Sequence, residues 1–397
     1  MPKSKPQIKS NIASAALAAT AAPQPDQPSA LLGGLTPKQF MRRHWQKKPL
    51  LIRSALPDFA PLLSRQQLFA LAAEEAVESR LIVHQPQGWS LQHGPLAQRD
   101  LPAPEQPRWT LLLQGLDLHL DAAHELLQRF RFVPDARLDD LMISWASDGG
   151  GVGPHFDSYD VFLLQVNGQR RWRIGRQKDL SLEPDVPLKI LSHFVPEQEH
   201  VLSPGDMLYL PPRWAHDGVA VGGDCMTYSI GFRVPQRAGL AAELLQRMAD
   251  DYSDATLYRD PDQPATATPA AMPAALQAFA TQALQRLLAE RESLACALGE
   301  VMTEPKPRVW FDEPSSPWQI AGLRLDRRSR MMYDRRRIFI NGESFLARGA
   351  DARLMHCLAD QRWLPVEQVR RSSSAARTLL QDWFEAGWLH RTEANPS

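Results

Sequence analysis

Residues 141–175, LMISWASDGGGVGPHFDSYDVFLLQVNGQRRWRIG, decide how this chain is read. Apolar and polar residues nearly alternate along them, which predicts strand, and side chains two apart on a strand share a face. His155 and Asp157 therefore aim at one spot. A neutral imidazole and a carboxylate converging on a point suit a divalent transition metal. Glycines 149, 150, 151 and 153 lead into the pair. No Gly-Lys-Ser/Thr follows them and no helix is expected there, so a phosphate loop is excluded. Glycines at this place instead let a peptide come close. Asn167-Gly168, set between apolar runs, predicts a hairpin turn.

A third ligand candidate comes from SPGDMLYLPPRWAHDG, residues 203–218, which reads as a tight turn, a short apolar strand, a Pro-Pro stop and then His216. Two histidines and a carboxylate make the facial triad of non-haem Fe(II) oxygenases, which leaves coordination positions open. Zinc would also accept these donors. The two motifs share a loose spacing of glycine, proline and histidine, as the paired motifs of a cupin barrel do. In QRRWRI, alternation puts Arg170 with Trp172 and Ile174 on one face and Arg171 with Arg173 on the other. An arginine on an apolar face stays charged and requires an anion. A carboxylate fits its fork bidentately. 2-Oxoglutarate supplies one, and a protein acid such as Asp139 or Asp140 is the competing partner.

The runs GGGVGPHFDSYDVFLLQVNGQRRWRIG, PGDMLYLPPRWAHDG and MTYSIGFRVP resemble the JmjC-type ribosomal oxygenases, in particular the bacterial branch acting on arginine. WQKKPLLIR, residues 45–53, is similar to that family's leading segment. The resemblance implies a double-stranded β-helix (a cupin-like JmjC barrel) in an α+β chain. It implies Fe(II) on His155, Asp157 and His216, with 2-oxoglutarate on Arg170 and Ser144 and O2 as the second co-substrate. The implied substrate is an arginine of a large-subunit ribosomal protein. Tyr159 and Asp160 directly follow the metal pair and are candidates to receive its guanidinium, a plain structural role being the competing reading. Two departures stand out. Ala146 replaces a serine of the family, and Arg213 replaces a turn glycine, which puts the shape of its loop in question.

Outside this core the composition is neutral, with 45 Lys and Arg against 45 Asp and Glu, so global charge does not point to nucleic acid. Three scattered cysteines (Cys225, Cys296, Cys357) exclude a disulfide scaffold and fit a reducing cytoplasm. No apolar run approaches the roughly 18 residues that span a bilayer. Residues 1–30 carry an alanine-rich run and PQPDQPSA, which read as a disordered tail rather than an export signal. Thr36-Pro37-Lys38-Gln39 and Ser64-Arg65-Gln66-Gln67 are capping boxes. The second predicts a helix running to about residue 80. The catalytic domain is expected over 31–235 and a helical dimerisation segment over 236–302. A winged-helix-like domain is expected over 303–397.

The last of these is basic: residues 321–391 hold 14 Arg and no Lys against 8 Asp and Glu. Its hairpin arginines, Arg335, Arg336 and Arg337, offer a surface to ribosomal RNA. Leu276, Phe279, Leu284, Leu287 and Leu288 lie at helical spacing and predict a homodimer face. Two rival readings remain open at this level. One is a histidine hydroxylase of another ribosomal protein. The other is a non-catalytic metal-binding cupin that regulates through nucleic acid.

Overall fold

The computed structural model describes residues 22–250 and 252–392. Most of the alanine-rich tail expected over 1–30 lies outside them. The chain forms two compact units, one reaching Phe232 and one running from Arg233, to which Asp135–Arg137 also belong. No helix among the described residues is long and apolar enough to cross a membrane.

In the first unit α1 (Pro37–Arg43) starts at the Thr36 capping box, and β1 (Leu50–Ile52) follows. Next, α2 (Arg65–Leu71) starts at the Ser64 box but stops well short of residue 80. The chain changes period there: from Glu78 it alternates as β2 (Glu78–Gln85), with Leu81 and Val83 turned into the core. β3 (Gly88–His93), β4 (Trp109–Gln114), α3 (Asp121–Gln128) and β5 (Leu138–Ala146) complete the first half. The motif strands are β6 (His155–Phe156), β7 (Val161–Gly175), β8 (Gln198–Leu202), β9 (Met207–Leu210) and β10 (Ala215–Phe232).

These ten strands form one antiparallel sheet in the order β1-β9-β7-β10-β5-β4-β2-β3, with β6 paired to β10 and β8 to β7. Asn167-Gly168 is no hairpin turn. β7 runs straight through it because β10 pairs along both halves of the strand. The two residues sit at a register shift, where Gly168 takes φ 62° and the Asn167 amide donates to the Asp224 carbonyl at 2.6 Å. One face of the sheet packs on the helices through Phe40, Leu68, Leu126, Ile143, Trp145, Phe162 and Tyr228. The opposite face carries Val161, Leu163, Trp172, Ile174, Leu202, Leu208 and Leu210, together with buried polar side chains that make up the site.

The segment after α1 is bolted to this sheet. Arg53 pairs with Asp206 at 2.6 Å, and the same carboxylate accepts from the Ser54 and Ser203 amides.

The second unit begins with α4 (Arg237–Asp250), α5 (Ala274–Ala289) and α6 (Arg291–Thr303). Then come β11 (Gly322–Leu325), β12 (Met331–Tyr333), β13 (Arg337–Ile340), β14 (Glu343–Leu346) and α7 (Gly349–Gln361). β15 (Trp363–Leu364), α8 (Val366–Arg371), α9 (Ser374–Glu385) and β16 (Leu389–Thr392) end it. The turn at Asn341-Gly342 does join a hairpin here, β13 to β14. Three helices and short antiparallel strands around Leu358, Leu380 and Trp383 give the winged-helix arrangement.

Candidate active site

His155 and His216 face each other in register across β6 and β10, which brings their rings to 4.2 Å between centroids. Each ring is oriented by its own neighbourhood. His155 Nδ1 lies 2.9 Å from the Gly153 carbonyl and His216 Nδ1 lies 2.8 Å from the Trp214 carbonyl. A ring that donates from Nδ1 presents the Nε2 lone pair, the form that ligates metals. Asp157 Oδ2 stands 3.6 Å from His216 Nε2. One donor atom from each of the three residues lies within 4.8 Å of the others. Burial, followed by the neighbouring His155, pulls the His216 pKa down to about 4 against the opposing pull of Asp157. The imidazole is thus neutral at physiological pH, as a ligand must be.

The loop entering β10 has the shape a glycine would give it. Arg213 adopts φ 64°, and its amide donates to the Asp157 carbonyl at 2.7 Å. That bond ties the two ligand-bearing segments together, so the family's glycine is replaced without losing the turn.

Arg170 sits where alternation put it, on the inward face with Trp172 and Ile174, and is 4% exposed. Among the described residues it has no acidic partner, so neither Asp139 nor Asp140 neutralises it. Its Nε lies 3.5 Å from the Cys225 sulfur, and its Nη2 has no hydrogen-bond partner. Cys225, which packs with Ala146 and Ala220, was not singled out from sequence. No spacing rule marks it, because β10 brings it beside Arg170 only through the register shift near Val221. Ser144 lies two residues before Ala146 on the same inward face of β5. Its hydroxyl is buried and donates to the Thr227 carbonyl at 3.2 Å.

Tyr159, two residues after Asp157, is 40% exposed. Desolvation, followed by the carboxylates of Asp157 and Asp140, pushes its phenol well above the ordinary tyrosine range, so it stays a neutral donor. Asp160 corrects the sequence expectation. It is fully buried, accepting from the Tyr209 hydroxyl at 2.6 Å and from the Gln46 amide at 2.9 Å. Its carboxylate fastens the leading segment to the sheet. The glycines do their work by close approach: a β-carbon at Gly151 would stand 2.7 Å from the Gly218 carbonyl, and one at Gly150 would stand 2.4 Å from the Trp109 carbonyl.

The JmjC domain model matches residues 125–240, and the ROXA-like winged helix model matches residues 285–390. The ribosomal protein uL16 3-hydroxylase of Escherichia coli K12 is 36% identical over 287 residues, covering 70% of this chain and 74% of that one. This chain belongs to the JmjC ribosomal oxygenase family. A probable ribosomal oxygenase of Haemophilus influenzae is 38% identical over 57% of this chain and 55% of its own length. The X-ray structure of E. coli YcfD superposes with a TM-score of 0.79 at 29% identity, covering 90% of this oxygenase and 98% of YcfD. The same ribosomal oxygenase in complex with cobalt and 2-oxoglutarate superposes with a TM-score of 0.76, again at 29% identity and the same coverage.

The side chains of the present oxygenase fit both groups. Two imidazoles of set tautomer and one carboxylate converge as a divalent ion requires. A buried guanidinium with an unused N–H awaits an anion.

Proposed function

We propose that this chain is an Fe(II)- and 2-oxoglutarate-dependent dioxygenase that hydroxylates an arginine side chain of a large-subunit ribosomal protein, uL16 being the candidate. The observation that carries this is the pairing on one sheet face of the His155–Asp157–His216 cluster with buried Arg170, which has no acidic partner among the described residues and whose Nη2 makes no hydrogen bond. Bound iron with 2-oxoglutarate and O2 supplies the oxidation, in which one oxygen atom enters a C–H bond and the other goes to succinate as CO2 leaves.

The protein residues do the rest. His155, Asp157 and His216 would hold the metal. Arg170 takes the distal carboxylate of 2-oxoglutarate in a charge-assisted fork, and Ser144 belongs to the same wall. The glycines at 150 and 151 let the segment before His155 pack directly on the Trp109 and Gly218 carbonyls, which fixes where the ligand-bearing strand begins. Tyr159, a neutral phenol two residues after Asp157, is left as the substrate contact once Asp160 is buried.

The apolar face of α5 and α6 supports a homodimer. Leu276, Leu284 and Leu288 are exposed, as is Leu298 on α6, whereas Leu287 packs with Met248 and Ala297 and Phe279 meets Tyr258. The basic surface is narrower than the sequence suggests. Glu292 engages Arg336 and Arg337, while Arg335, Arg370 and Arg371, like Arg324, Arg348 and Arg353, are exposed and available to ribosomal RNA. A ribosomal substrate supports a cytoplasmic location.

The test is the intact mass of large-subunit proteins with and without this gene under aerobic growth. Loss of the gene should make one of them lighter by a single oxygen atom. Wild type should restore that mass and Asp157→Ala should not. Identical masses throughout would refute this substrate.

A further inference from the structure

Trp172 is unused in the assignments above, yet it occupies the middle of the inward face. Its ring lies 5.8 Å from the Arg170 guanidinium carbon and 5.9 Å from the His216 ring. Gly218 faces it in register on β10, and a β-carbon there would stand 2.5 Å from the six-membered ring. The glycine is therefore what lets the indole lie against β10. Since the benzenoid edge rests on Gly218, the N–H edge turns away from that backbone. Trp172 is only 5% exposed, and its Nε1 has no hydrogen-bond partner among the described residues. Buried indole N–H groups ordinarily have one. The ring is therefore within reach of a molecule anchored on Arg170 and extending to the His155–Asp157–His216 cluster.

We propose that Trp172 is a co-substrate-binding residue: its ring is the floor on which the carbon chain of 2-oxoglutarate lies, and its N–H donates to a carboxylate oxygen. This rests on Arg170 being the co-substrate anchor. The pair Trp172–Gly218 then sets the depth of the site, because any side chain at 218 displaces the ring.

The test uses the full-length protein loaded with zinc, which has no redox chemistry of its own, and labelled with nitrogen-15. The Trp172 indole resonance is the one missing from the spectrum of Trp172→Phe. Adding 2-oxoglutarate to wild type should move its proton downfield. In calorimetric titration Trp172→Phe should bind 2-oxoglutarate about tenfold more weakly, the size expected of one hydrogen bond to a charged group, at unchanged zinc stoichiometry. Gly218→Ala, which keeps the indole but displaces its ring, should weaken binding too. An indole resonance that does not move, or normal binding by both variants, overturns the proposal. Arg170→Ala in the same titration separates the two levels. If it binds normally, the anchor itself is wrong; if it alone binds weakly, only the role of Trp172 falls.

Discussion

Two buried charges in this molecule are treated in opposite ways. In the second unit Asp326 is 2% exposed and fully engaged. It accepts from the Arg328 backbone at 2.7 Å, from the Arg328 side chain at 2.8 and 2.9 Å, and from His390 Nε2 at 2.7 Å. Burial alone would push that carboxyl up, but the Arg328 and His390 bonds outweigh it and hold it well below the usual carboxylate range. In the first unit Arg170 is buried almost as deeply, and among the described residues its one hydrogen bond is to the Cys225 thiol at 3.5 Å. A charge kept for stability is paired within the chain, because an unpaired one is costly. A charge left open at that cost marks a place where a ligand supplies the partner.

The comparison breaks most visibly at Asp326. Asp326→Ala removes the carboxylate that Arg328 and His390 share and leaves Arg328 with Asp312 and the Trp310 carbonyl, a loss of about 3 kcal/mol, the low end for breaking a buried pair. The melting midpoint should drop while 2-oxoglutarate binding survives below it. The pH dependence has a definite sign. A carboxyl depressed in the fold stabilises above its unfolded pKa of about 3.9, and that stability is lost as the pH falls below it. Thermal melts of Asp326→Asn should therefore lose part of the acid-side slope that wild type shows; an identical slope would mean that Asp326 is not the group responsible.

Arg170→Ala should do the reverse. It removes a bidentate anion contact worth about 1.5–3 kcal/mol, which raises the 2-oxoglutarate requirement by roughly ten- to a hundredfold, while the melting midpoint holds or rises. A large loss of stability with unchanged co-substrate affinity would make Arg170 a structural charge like Asp326.

Much of this contrast was legible before the fold was known. Alternation in QRRWRI gave the inward face of Arg170, and the His-x-Asp spacing with a distant histidine gave the metal cluster. The capping boxes at Thr36 and Ser64 gave two helix starts. What escaped depends on contacts far apart in sequence. Asn167-Gly168 has ideal hairpin chemistry, but pairing with both halves of β10 overrides it. Asp160 looks like a substrate contact by its place after Asp157, yet Tyr209 and Gln46, 49 and 114 residues away, claim it. Trp172 reads as core until Gly218 and the unpartnered Nε1 are seen beside it.

Smaller effects sharpen the picture. Arg213→Gly relieves a left-handed arginine while keeping its amide bond to Asp157, and should stabilise by about 1 kcal/mol or less with unchanged turnover. A loss of activity would show that the arginine side chain itself serves the site. Arg171→Ala, on the opposite face of β7 from Arg170, should leave the 2-oxoglutarate requirement within about twofold, since it removes no buried anion contact. Equal effects from Arg170→Ala and Arg171→Ala would mean that the inward face has been assigned to the wrong residues.

The central claim is that the cluster joining His155, Asp157 and His216 works on a co-substrate held by Arg170. Its most direct test is succinate formation from 2-oxoglutarate by the purified protein, with added Fe(II) and O2 and large ribosomal subunits from cells lacking the gene. Wild type should form succinate in step with addition of one oxygen atom to a ribosomal protein, and Asp157→Ala should fall to background while keeping its fold by circular dichroism. Wild-type turnover by a folded Asp157→Ala protein would contradict the account.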